Sequence, residues 1–262
     1  MPEKPLSLAD ELEIFVREQA SQFGEVISYV PAKRNQPITT ASVTETTKEV
    51  LAPVSSTLRI AELEEKLAPY NSEAWRQATS LDVMKEIIHD CTKCALGATR
   101  TKLVFGTGSA KAKVMVIGEA PGADEDAAGE PFIGRAGQLL TKMLEAVNFS
   151  RDEVFITNIL KSRPPNNRDP KPEEVAACEP YLWKQIELIQ PKFIICFGRV
   201  AGMNLLKLET ATLAKMRGNV YDLHGISVMV TYHPAALLRN PDWKKGAWED
   251  LQKFRQLYDA AV

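Results

Sequence analysis

Four short apolar runs, KVMVIG, EVFITNIL, KFIICFG and ISVMVTYHP, recur along the chain with helix-patterned segments between them. Between them stand AGQLLTKMLEAVN, then PEEVAACEPYLWKQIELIQ with proline in its first turn, then RVAGMNLLKL. Runs of near-continuous apolar residues suit strands buried on both faces, and alternation with helices predicts a mainly parallel sheet. The expected fold class is therefore α/β: a three-layer α/β/α arrangement around a four-stranded parallel sheet. In that layout ligands bind beyond the carboxyl ends of the strands, which is where the polar motifs of this chain fall.

The first 80 residues read differently. Residues 7–22 carry helical spacing (Leu8, Leu12, Phe15, Val16) behind a Ser7 cap, and LRIAELEEKLAP forms a second short helical stretch. Between them residues 31–57 are rich in Pro, Thr, Ser and Ala, the makeup of a disordered linker. The expected organisation is an N-terminal extension over 1–80 and a main domain over 81–262. With 262 residues, 45% of them hydrophobic, the chain can bury one full-sized core. No apolar run reaches the ~20 residues of a membrane span, and the N-terminus lacks the order of a signal peptide, so a cytoplasmic protein is expected.

The net charge of −2 argues against a strongly basic nucleic-acid binder. Residues 1–80 hold 8 Lys and Arg against 12 Asp and Glu, however, which leaves the remainder slightly basic, with clusters in KSRPPNNRDPK and LLRNPDWKK. GEAPGADEDAAGEPFIGRAG, at the end of the first strand, has neither G-x-G-x-x-G spacing nor a P-loop ending, and its acids would repel phosphate. Asp124 and Asp126 read as an acidic surface turn, whereas the glycines and proline around Glu119 and Glu125 favour an inward-facing loop. Phe132, on the loop that follows, is either core or a stacking platform. Asn158 ends the second strand, where a carboxamide offers both donor and acceptor to a base edge or simply forms a turn. His233 ends the last strand on the same sheet edge, a better place for catalysis than a lone histidine usually has.

Cys91 and Cys94 stand at C-x-x-C ligand spacing and Cys178 lies on the long helix. Cys196 sits in an apolar strand and reads as a buried thiol. In a reducing compartment three such cysteines point to metal or redox chemistry rather than to disulfides, one ligand short of a four-thiolate site.

Taken in order and spacing, GEAPGADED, GEPFIGRAGQLL, ITNILKSRPPNNR and YHPAALLRNP resemble the motifs of the family 4, iron-sulfur uracil-DNA glycosylases over roughly residues 85–257. The resemblance implies an enzyme that hydrolyses the N-glycosidic bond of deoxyuridine in DNA, leaves an abasic site and starts base-excision repair. It implies that uracil is flipped into a pocket, because its reacting bond is unreachable inside a duplex. Phe132 would stack on the base, Asn158 would read its edge, and His233 would donate to O2 as charge builds on the leaving group. Glu125, with Glu119 nearby, would face the cationic sugar and hold the attacking water. Backbone groups of Gly118, Ala120 and Gly122 would line the pocket. The AALLRNP stretch corresponds to a loop entering the DNA groove, with Leu237 or Leu238 as wedge and Arg239, Arg163 and Arg168 on phosphates.

The resemblance also implies a 4Fe-4S cluster on Cys91, Cys94, Cys178 and the residue at 162. The family generally carries cysteine there, and this chain has Ser162. Serine oxygen is harder and less readily ionised than a thiol, so the cluster would be weaker or more labile, and His89 is an alternative ligand. A relative that captures uracil covalently uses a histidine after the second strand; none occurs between Asn158 and Pro172 here, which favours hydrolytic turnover. Two rival readings stay open: a nucleic-acid binding or adaptor protein that has lost catalysis, and a glycosylase for another deaminated base such as hypoxanthine. The implied partner is uracil-containing DNA, with a monomer as the default. The N-terminal extension is a candidate contact for a repair or replication partner.

Overall fold

The computed structural model describes residues 59–261. Its strands are β1 (Thr107–Gly108), β2 (Val114–Gly118), β3 (Phe155–Asn158), β4 (Phe193–Phe197), β5 (Tyr221–Leu223) and β6 (Ile226–Thr231). They form one sheet in the order β1-β3-β2-β4-β6-β5. The expected parallel four are its centre, β3-β2-β4-β6, with every residue buried. The sheet has six strands rather than four, because β1 and β5 add antiparallel edges to β3 and β6. Those edges span two and three residues, too short for an alternation to register.

Successive strand residues point to opposite faces, and two groups of helices cover them. On one face Met115, Ile117, Ile194, Cys196, Val228 and Val230 join a buried cluster with α1 (Ile60–Leu67), α2 (Leu81–Ile88), the long α5 (Pro172–Ile189) and α6 (Arg199–Leu206). The other face carries α4 (Arg135–Glu145), the short α8 (Pro234–Arg239) and α9 (Lys244–Asp259); there Phe193 of β4 meets Phe254 of α9, ring centroids 6.1 Å apart. Two further short helices, α3 (Ala123–Ala128) and α7 (Leu213–Met216), lie in the connections.

Residues 59–80, assigned by sequence to an extension, pack into this body. α1 lies on α5, and Leu63, Leu67, Trp75 and Ala78 sit in the same core as the helices of the first face. The helix expected over 7–22 and the linker over 31–57 lie outside the described residues.

The topology prepares a site. From β2 the chain pairs β3 on one side and then crosses to β4 on the other, so the crevice beyond the carboxyl end of β2 is a switch point. Register holds the strand ends level there: Gly118 stands opposite Asn158, and Phe197 opposite Thr231, two residues before His233.

Candidate active site

Three residues make the floor and one wall. Gly118 ends β2, and a Cβ built on it would stand 2.3 Å from Asn158 Oδ1 and 2.5 Å from Phe132 Cζ. Only glycine admits both neighbours so closely. Asn158 is 2% exposed, and its carboxamide Oδ1 is turned toward Gly118. A carboxamide on the floor of the crevice can offer both a donor and an acceptor to a group that arrives from outside. Phe132 is buried on its loop in a left-handed conformation, φ 53°. That strained backbone is held from both sides: Arg151 donates to the carbonyls of Pro131 and Phe132 at 3.1 and 3.2 Å, and Glu125 accepts from the N–H groups beyond.

The two glutamates divide the work. Glu125 Oε1 accepts from the N–H of Ile133 and Gly134 at 3.0 and 3.1 Å, and its Oε2 accepts from Gly122 N–H at 3.1 Å. It thereby closes the start of α3 and anchors the Phe132 loop, a capping arrangement. Among the described residues no backbone N–H donates to the Glu119 carboxylate, unlike that of Glu125. Burial, reinforced by Asp169, pushes its carboxyl up to about 7, against a smaller opposing pull from Arg199. A carboxylate poised near neutrality suits base chemistry better than one fully occupied by backbone donors.

The turn itself is largely internal. Gly118 and Glu119 carbonyls accept from Ile159 and Leu160 N–H, both at 3.0 Å, which prolongs the β2–β3 ladder. Ala120 is half-buried against the core, and the Gly122 N–H is spent on Glu125. Asp126 corrects the expectation of an acidic surface turn: it is buried and accepts from Thr101 N–H at 3.0 and 3.1 Å, pinning the segment that approaches β1.

His233 faces Phe132 across the crevice, ring centroids 5.5 Å apart. Its Nδ1 accepts from Ala235 N–H at 3.2 Å as the cap of α8, which places the imidazole proton on Nε2. Burial, with Arg239 adding to it, pushes the ring's pKa down to about 4. At neutral pH it is thus an uncharged N–H donor. Gly198, φ 98°, follows β4 and packs against the histidine; a Cβ there would lie 3.2 Å from His233 Cβ.

The stretch after His233 is a helix rather than a loop, since Pro234 fits a first helical turn and His233 caps it. Leu237 points inward and is 1% exposed, so it is no wedge; Leu238 is half-buried and Arg239 exposed. Arg168 forks onto the buried Glu174 at 2.9 and 2.6 Å, a clamp on the start of α5 that occupies the guanidinium expected on phosphate. Arg163 reaches Asn167 Oδ1 at 2.8 Å.

The cysteines gather on the first face. Cys178 is buried and accepts from Lys161 N–H at 3.2 Å, and burial pushes its thiol up to about 11. Cys91 Sγ lies 3.1 Å from the Tyr181 hydroxyl, one helical turn along α5 from Cys178. Ser162 is buried, its Oγ 3.4 Å from Arg100 Nη1, which also donates to the Cys91 carbonyl. His89 is directed away, paired with the exposed Asp90 at 2.8 Å. Among the described residues no three His, Cys, Asp or Glu side chains converge closely enough for one metal ion.

Sequence reasoning passed over Asp169, Arg199 and Lys161. Lys161 is wholly buried beneath β3, donating to Asn158 O at 2.8 Å, Gln185 Oε1 at 2.7 Å and Thr157 Oγ1 at 2.6 Å. Burial pushes its ammonium down to about 7. It fixes the backbone that carries Asn158. Read in KSRPPNNR it looked like one more surface charge, and the only available signal was its place directly after an apolar strand.

The uracil DNA glycosylase superfamily model matches residues 105–252, which contain all of these strand ends. A type-4 uracil-DNA glycosylase of Archaeoglobus fulgidus is 46% identical over 183 residues, 67% of this chain and 92% of the relative. That of Saccharolobus solfataricus is 45% identical over 185 residues, 68% and 86%, and that of Thermotoga maritima 41% over 178 residues, 67% and 93%. With matches of that extent, and with the matched span enclosing the crevice, the chain belongs to the uracil DNA glycosylase superfamily, in its type-4 branch.

Proposed function

We propose that the protein is a uracil-DNA glycosylase, a hydrolase that releases uracil from DNA and leaves an abasic site. The observation that carries this reading is the buried Asn158 carboxamide packed with Phe132 over Gly118 at the strand ends. Uracil offers O4 as acceptor and N3–H as donor, which one carboxamide satisfies with its N–H and Oδ1. Phe132 supplies the face on which the flipped base rests.

As the C1′–N1 bond breaks, its electron pair passes to the base, and the His233 Nε2–H donates to the oxygen that becomes negative. A neutral donor is the fitting choice, because it stabilises the anion without surrendering its proton to solvent beforehand. Glu119, ionised, faces the cationic sugar and takes the proton of the water whose oxygen bonds to C1′. Glu125 holds the Phe132 loop and the start of α3, so its contribution is placement. The test is release of free uracil with formation of an alkali-labile site; retention of uracil-DNA without release would identify a binding protein instead.

Cys91, Cys94, Cys178 and Ser162 Oγ are the residues that would hold a 4Fe-4S cluster. When bound it would supply a staple between the 91–94 turn, the segment after β3 and α5. Anaerobic purification is expected to yield about four iron atoms and matching sulfide per chain, lost in air faster than from Ser162→Cys. Absence of iron from both proteins would remove the cluster from the account. Glycosylase action implies DNA as partner and a DNA-containing compartment as location; no helix among the described residues is long and apolar enough to cross a membrane. Arg239 and Leu238 stand nearest to the role of meeting DNA beside the crevice, and the N-terminal segment remains the proposed contact for other repair proteins.

A further inference from the structure

Beside the pocket, and unused by the reaction above, three side chains form a stack. Tyr232, the residue before His233, lies against Trp243 with ring centroids 5.3 Å apart and planes 25° from parallel. The Arg217 guanidinium carbon is 4.2 Å from the Tyr232 ring centroid, and its Nη1 donates to the Tyr232 hydroxyl at 2.9 Å. Arg217 is fixed in turn by Nε on Asp250 Oδ2 at 2.7 Å and Nη2 on Gly246 O at 2.5 Å. The same Asp250 oxygen accepts from Thr231 Oγ1 at 2.6 Å. The stack is therefore tied to the end of β6, the strand that delivers His233.

Trp243 nonetheless leaves 42% of its surface in solvent, whereas Trp75 and Trp183 leave 3% and 4%. A single exposed aromatic is ordinary by itself. This one has its ring plane set by Tyr232, stands in the turn Pro241–Trp243 directly after α8, and has Arg239, Lys244 and Lys245 close in sequence against the single acid Asp242. An aromatic face in a basic setting beside a flipped-base pocket matches the chemistry of a nucleobase and its phosphates.

We propose that the open face of Trp243 receives an unpaired base adjoining the flipped nucleotide, giving the enzyme a grip particular to single-stranded DNA. This rests on the glycosylase reading and adds the strand form it favours. In a duplex the neighbouring base is already stacked and paired, so an outside ring gains little from it. In a single strand that base has a free face, and the Trp243 plane is prearranged to cover it.

The experiment compares wild type, Trp243→Ala and Trp243→Phe on single-stranded and duplex uracil oligonucleotides of one sequence, and on a single strand whose flanking bases are replaced by abasic spacers. Trp243→Ala is expected to raise KM on the single strand about tenfold and on the duplex less than about threefold. Trp243→Phe recovers most of the loss, and the spacer strand shows no difference between the proteins. Equal KM changes on both DNA forms, or no change on either, would overturn the proposal. Fluorescence quenching by single-stranded DNA, taken as wild type minus Trp243→Phe, reads stacking independently of base release. Absence of release from wild type would defeat the glycosylase reading, while release without Trp243-dependent quenching would defeat this one alone.

Discussion

Asn158→Asp is expected to lower uracil release by at least about a hundredfold while cytosine release rises relative to it. Asn158 is buried at the end of β3, with its carboxamide against Gly118 and Phe132. Its replacement by a carboxylate keeps the shape and removes both N–H donors of the side chain. Two acceptor oxygens then face uracil O4, another acceptor, and a buried unpaired acceptor in that position is expensive. Cytosine presents an amino group at the same place, which a carboxylate accepts. Rates of base release from matched uracil and cytosine oligonucleotides measure the ratio directly. A variant with wild-type rate and unchanged selectivity would contradict the assigned role.

The second large effect belongs to Glu119. With its carboxyl pushed up to about 7 by burial, the ionised form needed at the sugar predominates only above neutral pH. kcat/KM is therefore expected to rise with pH through about 7. His233, pushed down to about 4, is neutral across that window and contributes no second limb. Glu119→Gln should lower the rate at pH 8 by about 10²- to 10³-fold and abolish the limb at 7. The same substitution should stabilise the fold. A carboxyl whose folded pKa exceeds its unfolded value binds its proton more tightly when folded, so the wild type loses stability as pH rises from about 4.5 through about 7. Glutamine carries no such cost, and urea denaturation at pH 8 should show a gain of up to about 3 kcal/mol that vanishes at pH 4. A pH profile unchanged in Glu119→Gln would transfer the chemistry elsewhere, Glu125 being the nearest alternative.

The parts of the fold legible in the sequence were those written in long patterns. Four apolar strands and the helices between them announce a parallel sheet because burial on both faces leaves no polar interruption. β1 and β5, of two and three residues, carry too few positions to show a period, and they form because a longer neighbour offers an edge. Of the residues singled out in the sequence, Phe132 stands with Asn158 over Gly118 and faces His233. The site was less legible in who pairs with whom. Glu125 and Arg168 look available in sequence, yet backbone N–H groups and Glu174 occupy them. Leu237 and Leu238 are adjacent and alike, and only the turn of α8 decides which is buried. Lys161 and Asp126 are charged residues that the fold takes inside, Asp126 onto Thr101 and Lys161 onto Gln185 as well as the end of its own strand. Such pairings are tertiary, and no local pattern encodes them.

The central claim is most directly tested by mass spectrometry of the free bases released when the purified protein meets one oligonucleotide carrying uracil, cytosine and hypoxanthine. Uracil alone, in amount equal to the abasic sites formed and released far more slowly by Glu119→Gln, is the predicted result. Hypoxanthine as the main product, or no free base although the oligonucleotide is bound, would contradict it.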